Sequence, residues 1–319
     1  MNKKILILGA KGMLGCELAS VFASYKPILW GQDDLDITDS KKTMEKIVEL
    51  SPDVVINAAA YTNVAEAEKN QELANNINGY AVGYIANACH LVGAILVHYS
   101  TDYVFDGNNK NGYKEEDEGS PVNAYGASKY LGEQMLLLKE SQGAIKCPSF
   151  ASCPKVQDGQ GCDELGEMPV FKYYLIRTAW LYGANGKNFV DTMLKQAENN
   201  NKVRVTNDQF GKPTYALDLA KRTLELIESK ASYGIYHITN ETKSLKGISW
   251  YDFAIKIFEI KAKLDKLFKT PQVQAVTSEE FSSPVKRPAY SMLINSKLSS
   301  SRNWEEALEE YIRSRAVSK

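Results

Sequence analysis

Several common signatures are missing from this chain, and each absence removes a class of protein. Charge of one sign is missing: 38 basic residues face 39 acidic ones, a formal net charge of −1 over 319 residues. Such a balance offers no footprint for nucleic acid or an anionic membrane surface. Long apolar runs are missing too. The opening "MNKKILILGA" places two lysines before an apolar stretch, but that stretch stops at Gly9. It is too short for a secretory core or a membrane span, so a buried first strand is expected. Cysteine is scarce, with five residues at irregular spacing. An odd, unpatterned set argues against a disulfide framework and for a reducing, cytoplasmic setting. Histidine is rarer still, and His90, His98 and His237 all read as core or structural.

What is present is a chain that is 44% apolar and long enough for a large core, with room for two lobes. In the first half, short apolar runs at 5–8, 27–30, 54–58, 94–99 and 173–177 alternate with helical patterns at 13–22, 39–50, 71–90 and 127–139. That alternation is the mark of βαβ units and a parallel sheet. The expected fold is α/β, a Rossmann-type doubly wound sheet over residues 1–178. A smaller substrate lobe follows over 179–319, with some segments returning to the first domain. Residues 141–170 interrupt the rhythm with four glycines, three prolines and Cys147, Cys153 and Cys162. The cysteines lack a Cys-x-x-Cys pair or a nearby histidine, so a surface insertion away from the active site is expected, rather than a metal centre.

Gly9, Gly12 and Gly15 stand between the first strand and the first helix in "ILILGAKGMLGCEL". Glycines there permit a tight turn, close approach of backbone N–H groups to a pyrophosphate, and tight helix–strand packing. Past the second strand, "WGQDDLDITD" carries Asp33, Asp34 and Asp36 and no basic residue. An acidic group there suits a free ribose 2′-hydroxyl and favours NADH, while Lys11 in the glycine turn keeps NADPH open. Further along, "HYSTDYVFDG" precedes "AYGASKY", where Tyr125 and Lys129 lie four residues apart, on one helical face.

Taken with "INAAAYTNV", "RTAWLYG", "NFVDTML", "NDQFGKPT" and "KRPAYSMLINSKL", these stretches resemble the extended short-chain dehydrogenases/reductases, and within them the dTDP-4-dehydrorhamnose reductase family. The resemblance covers nearly the whole chain apart from the insertion. It implies NADH- or NADPH-dependent reduction of the 4-keto group of dTDP-4-dehydrorhamnose to dTDP-L-rhamnose, for cell-surface polysaccharide. It also implies a catalytic trio of Thr101, Tyr125 and Lys129, with Lys129 also clamping the nicotinamide ribose. Gly12, Met13 and Leu14 match the pyrophosphate turn, Asp36 and Ile37 the adenine pocket, and Ala60, Tyr61 and Thr62 the nicotinamide side. Tyr99 ends the fourth strand beside them. Thr101, Asp102 and Trp180 match substrate contacts, and Arg287 suits a diphosphate fork.

The chemistry fits the residue types. Reducing a ketone needs a proton at its oxygen, so a phenol is a fitting donor, and a nearby ammonium is expected to ease its proton loss. Dehydration requires a further carboxylate after Asp102, where Tyr103 stands. Two alternatives remain open: a sugar-nucleotide epimerase, and a non-catalytic regulatory subunit like that of methionine adenosyltransferase. Some reductases of this kind pair through magnesium-bridged carboxylates. Glu17 matches one such position, but Asn199 stands where a second carboxylate belongs, so no metal is expected and a homodimer stays open.

Overall fold

The computed structural model describes residues 3–141, 170–229, 231–244, 246–281 and 285–317. Strands β1 (Ile5–Leu8), β2 (Ile28–Trp30), β3 (Val54–Asn57), β4 (Ile95–Thr101) and β5 (Lys172–Thr178) come first. The shorter β6 (Leu181–Tyr182), β7 (Lys202–Thr206), β8 (Phe210–Gly211) and β9 (Thr214–Tyr215) follow. The last are β10 (Gly234–His237), β11 (Ile248–Ser249) and β12 (Gln272–Val276). The helices are α1 (Met13–Val21), α2 (Ser40–Leu50), α3 (Val64–Ala67), α4 (Gln71–Asn75), α5 (Ala81–Val92), α6 (Ala124–Ser141), α7 (Phe189–Asn199), α8 (Ala216–Glu228), α9 (Trp250–Leu264), α10 (Ser278–Phe281) and α11 (Trp304–Val317).

Six strands make one parallel sheet in the order β10-β5-β4-β3-β1-β2. Every residue of β1 and β3 is buried, as continuous apolar strands covered on both faces must be. One face packs Leu14, Leu18 and Phe22 with Leu219 and Leu226 of α8; the other packs Ile47 of α2 with Val82 and Ile85 of α5. The chain progresses outward from β1 to β2, then returns to lay β3 on the other side of β1. That reversal opens a crevice beyond the carboxyl ends of β1 and β3, where ligands bind in such sheets. A separate aromatic-rich core, including Tyr182, Tyr215, Phe253, Trp304 and Tyr311, gathers β6, β7 and β9 with α7, α9 and α11.

Two local departures from the sequence pattern matter for the site. The helix expected over 71–90 is broken by a π-helical turn, Asn76–Tyr80, between α4 and α5. Gly79 lies against Leu131, with no room for a Cβ, so this turn is pressed onto α6. The helix expected from 127 begins earlier, at Ala124, because Asn123 Oδ1 accepts from Gly126 N at 2.8 Å and caps it. The Cys147, Cys153 and Cys162 segment falls outside the described residues. Among those described, no helix is long and apolar enough to cross a membrane.

Candidate active site

The glycine turn is a cradle that side chains would fill. Gly9 has φ +73°, the left-handed region that favours glycine, and a Cβ there would lie 2.6 Å from Ala59 N. At Gly15 a Cβ would stand 2.1 Å from the Gly9 carbonyl oxygen. The turn therefore closes onto the end of β3, with Gly12 at the N-cap of α1, whose free N–H groups suit an anion. Met13 lies beside Gly183 and Gly186, Leu14 is buried beneath the turn, and Ala60–Thr62 emerge at the end of β3. Ile37 is core. Asp36 is exposed, its Oδ1 accepting from Thr38 N at 2.9 Å.

Thr101 ends β4 and accepts from Tyr103 N at 3.2 Å, capping the short 3₁₀ turn Asp102–Val104. Against that turn sits the first turn of α6. The approach is so close that a Cβ on Gly126 would be 2.1 Å from the Tyr103 carbonyl oxygen. Gly126 thus lets Tyr125 reach the end of β4, where its ring meets Tyr103 edge-on at 5.8 Å. Burial pushes the Tyr125 phenol pKa up, the Asp102 carboxylate pushes it further, and the Thr101 hydroxyl pulls it back down.

Lys129 is buried, with Nζ donating to the Tyr99 carbonyl at 2.6 Å and lying 3.4 Å from His98 Nε2. Burial lowers its pKa to about 8, with the Glu133 charge resisting that fall. The ammonium is thus held on the β4 main chain. The lysine stem is long enough to anchor on the same strand that ends in Thr101.

Tyr99 turns its hydroxyl into the core, 2.8 Å from Thr223 Oγ1, and presents its carbonyl to Lys129. Trp180 has φ +47° and stacks on Trp250 with ring centroids 3.5 Å apart, so one indole face is covered. The indole fits because Gly211 has no side chain; a Cβ there would be 2.5 Å from the ring. Arg287 is exposed on the segment facing the 3₁₀ turn and interacts with the Tyr103 hydroxyl. Asn123 ties that segment to α6 by donating to the Lys286 carbonyl at 3.0 Å.

Two residues escaped the motif reading. Asn78, on the π turn, donates to Tyr61 O at 2.9 Å and to Ser128 Oγ at 3.0 Å, and accepts from Tyr61 N at 2.8 Å. Ser128 in turn donates to Tyr125 O at 2.8 Å. This chain of bonds fixes the end of β3 relative to the tyrosine. The only sequence signal was a run of asparagines inside an apolar helical stretch. Glu133 is the other. It lies one further turn along α6 from Lys129, fully buried, and pairs with Arg177 at 2.7 Å.

A glycine cradle at the switch point of a parallel sheet, facing a threonine, a tyrosine and a lysine, defines a dinucleotide-binding oxidoreductase of the extended short-chain dehydrogenase/reductase type. Residues 3–146 and 165–317 match the family described as RmlD substrate binding domain, and the chain belongs to that family. The gap in the match falls inside the expected insertion 141–170. A dTDP-4-dehydrorhamnose reductase of Aggregatibacter actinomycetemcomitans is 34% identical, over 96% of this chain and 97% of its own. The spore coat polysaccharide biosynthesis protein SpsK of Bacillus subtilis is 36% identical, over 98% of both chains. A crystal structure of dTDP-4-dehydrorhamnose reductase from Bacillus anthracis in complex with NADP superposes with a TM-score of 0.83 at 34% identity. It covers 98% of this chain and all of that one.

Proposed function

We infer that this protein reduces the 4-keto group of dTDP-4-dehydrorhamnose, giving dTDP-L-rhamnose for polysaccharide synthesis. The observation that carries this reading is the meeting of Thr101, Asp102 and Tyr125 at the carboxyl end of β4, beside the glycine cradle. The cradle of Gly9, Gly12 and Gly15 would receive the pyrophosphate of a reduced nicotinamide dinucleotide, which supplies the hydride when bound. In this reading Met13, Leu14, Asp36, Ile37, Ala60, Tyr61, Thr62 and Tyr99 serve the same cofactor. Lys129, fixed on Tyr99, positions the nicotinamide ribose. Tyr125 delivers the proton to the carbonyl oxygen and Thr101 orients that oxygen by a hydrogen bond. Trp180, through its uncovered face, and Arg287, at the rim, serve the nucleotide sugar. The same reading carries a cytoplasmic location, and the division at 178/179 follows from the cofactor and substrate sides of this crevice.

Retention of the complete trio argues for a reductase over a regulatory subunit. Epimerisation would leave the nicotinamide oxidation state unchanged over a full turnover. Offering dTDP-4-dehydrorhamnose with NADPH or NADH, and following nicotinamide absorbance together with the product sugar, separates these outcomes. No net consumption of either cofactor sinks the reductase.

Cofactor choice is read from one exposed pair. Lys11 Nζ lies 2.6 Å from Asp33, and its stem covers Gly31 just past β2. While paired, the two charges cancel, so neither a 2′-hydroxyl nor a 2′-phosphate is strongly excluded, and the share of Asp33 in the NADH preference expected from Asp33, Asp34 and Asp36 is blunted. Asp33→Asn is expected to raise the kcat/KM ratio of NADPH over NADH by about two- to fivefold, the scale of a screened surface charge. Lys11→Ala should lower that ratio. Ratios unchanged in both variants would show that the pair lies outside the cofactor site.

A further inference from the structure

We propose that Asp102 works as a neutral carboxylic acid, donating a hydrogen bond from Oδ2 to the substrate and keeping its proton through the reaction. The proposal rests on the reductase reading and concerns the state of this one side chain.

Asp102 is 2% exposed. Its Oδ1 accepts from the Thr101 hydroxyl at 3.0 Å, while Oδ2 is buried with no hydrogen-bond partner among the described residues. Groups from three elements face it. On its own turn are Thr101 and Tyr103, on α6 is Tyr125, and on the segment after α10 is Ser291, with Arg287 beside Tyr103. Ser291 is close enough to stabilise the charged form, but its hydroxyl is directed at the Phe210 carbonyl, 3.4 Å away. The Arg287 guanidinium interacts with the Tyr103 hydroxyl, and no ion pair to Asp102 is present among the described residues. An ionised carboxylate buried with no cation partner is strongly disfavoured, so it takes a proton instead. Burial accordingly raises the Asp102 pKa to about 7, against the pull of Ser291 and Thr101.

The reaction sharpens the requirement. When Tyr125 gives up its proton, a phenolate forms beside Asp102, and two adjacent anions oppose one another. An ionised Asp102 already makes the phenol harder to deprotonate. A neutral Asp102 removes that opposition and gives the unpartnered Oδ2 a proton to donate. Two interacting acids of this kind titrate as a pair, with the carboxyl first. Activity should therefore be full below about pH 7 and fall as pH rises through that value. A second fall nearer 8 belongs to Lys129.

Asn is uncharged and keeps a donor at the Oδ2 position, so Asp102→Asn isolates the proposal. Asp102→Asn is expected to hold kcat/KM within about tenfold of wild type at pH 6 and to lose the fall near pH 7, leaving only the later one. Asp102→Ala, which has no donor, should lose a hundredfold or more at every pH. Infrared difference spectra of the free protein, wild type against Asp102→Asn, should show a protonated carboxyl band at pH 6 that vanishes by pH 8.5. That band depends on no substrate, so it stands even if another sugar proves to be reduced. An Asn variant as inactive as the Ala variant, while folded by circular dichroism, would overturn the proposal. So would the absence of the carboxyl band at pH 6.

Discussion

Tyr125→Phe is expected to lower kcat by about 10²–10⁴-fold, the range for loss of a positioned proton donor, while the NADPH dissociation constant stays near wild type. The substitution removes one oxygen. It leaves the edge-on contact with Tyr103 and the Ser128 bond to the Tyr125 carbonyl in place, so the helix start should not move. The phenol is partly buried with a raised pKa, which makes it a poor acid until an acceptor oxygen is placed against it. That property suits a donor that must hold its proton until substrate binds. Fluorescence titration of the cofactor and single-turnover kinetics would separate binding from chemistry. If kcat falls by less than about tenfold, the proton comes from elsewhere, and Thr101 or Asp102 becomes the first group to examine.

The frame of the molecule could be read from the chain because its signals are local. The continuous apolar runs of β1 and β3 and the glycines at 9, 12 and 15 each dictate their own conformation. The trio also announced itself, since Tyr125 and Lys129 share a helix face whatever surrounds them. What could not be read were contacts made across the fold. Gly126 looks like a helix-weakening residue in the sequence, yet it is the point where α6 touches the Tyr103 carbonyl. The spacing put Lys129 one turn from Tyr125, but it did not show that the lysine stem reaches the Tyr99 carbonyl. Nothing near Trp180 in the sequence points to Trp250, some seventy residues later, which covers one face of its indole. Long-range partners of this kind leave no trace in residue spacing.

Glu133 offers the clearest case of a role hidden in plain spacing, since Tyr125, Lys129 and Glu133 fall at successive turns of α6. Its two oxygens take Nε and Nη2 of Arg177, at 3.0 and 2.7 Å, and Ser100 donates its hydroxyl to the same carboxylate. Arg177 in turn donates to the Glu115 carbonyl at 3.2 Å and lies over the Phe105 ring. Glu133→Ala would strand a guanidinium in the core at a cost of about 3–5 kcal/mol, with a fall in Tm of the order of 10 °C. A second effect follows from charge. Glu133 props up the pKa of Lys129, so its loss lets that amine shed its proton at lower pH than the present value of about 8. The pH at which NADPH affinity declines should therefore move down. Replacing both partners, Glu133→Leu with Arg177→Met, should recover much of the lost stability, because neither charge is then left alone in the interior. It should not recover the affinity profile, because the carboxylate beside Lys129 is still gone. Calorimetry and NADPH titrations across pH on both variants test the two roles separately. A double variant that restores the profile would show that Glu133 supports the fold alone, and that Lys129 owes its charge to something else.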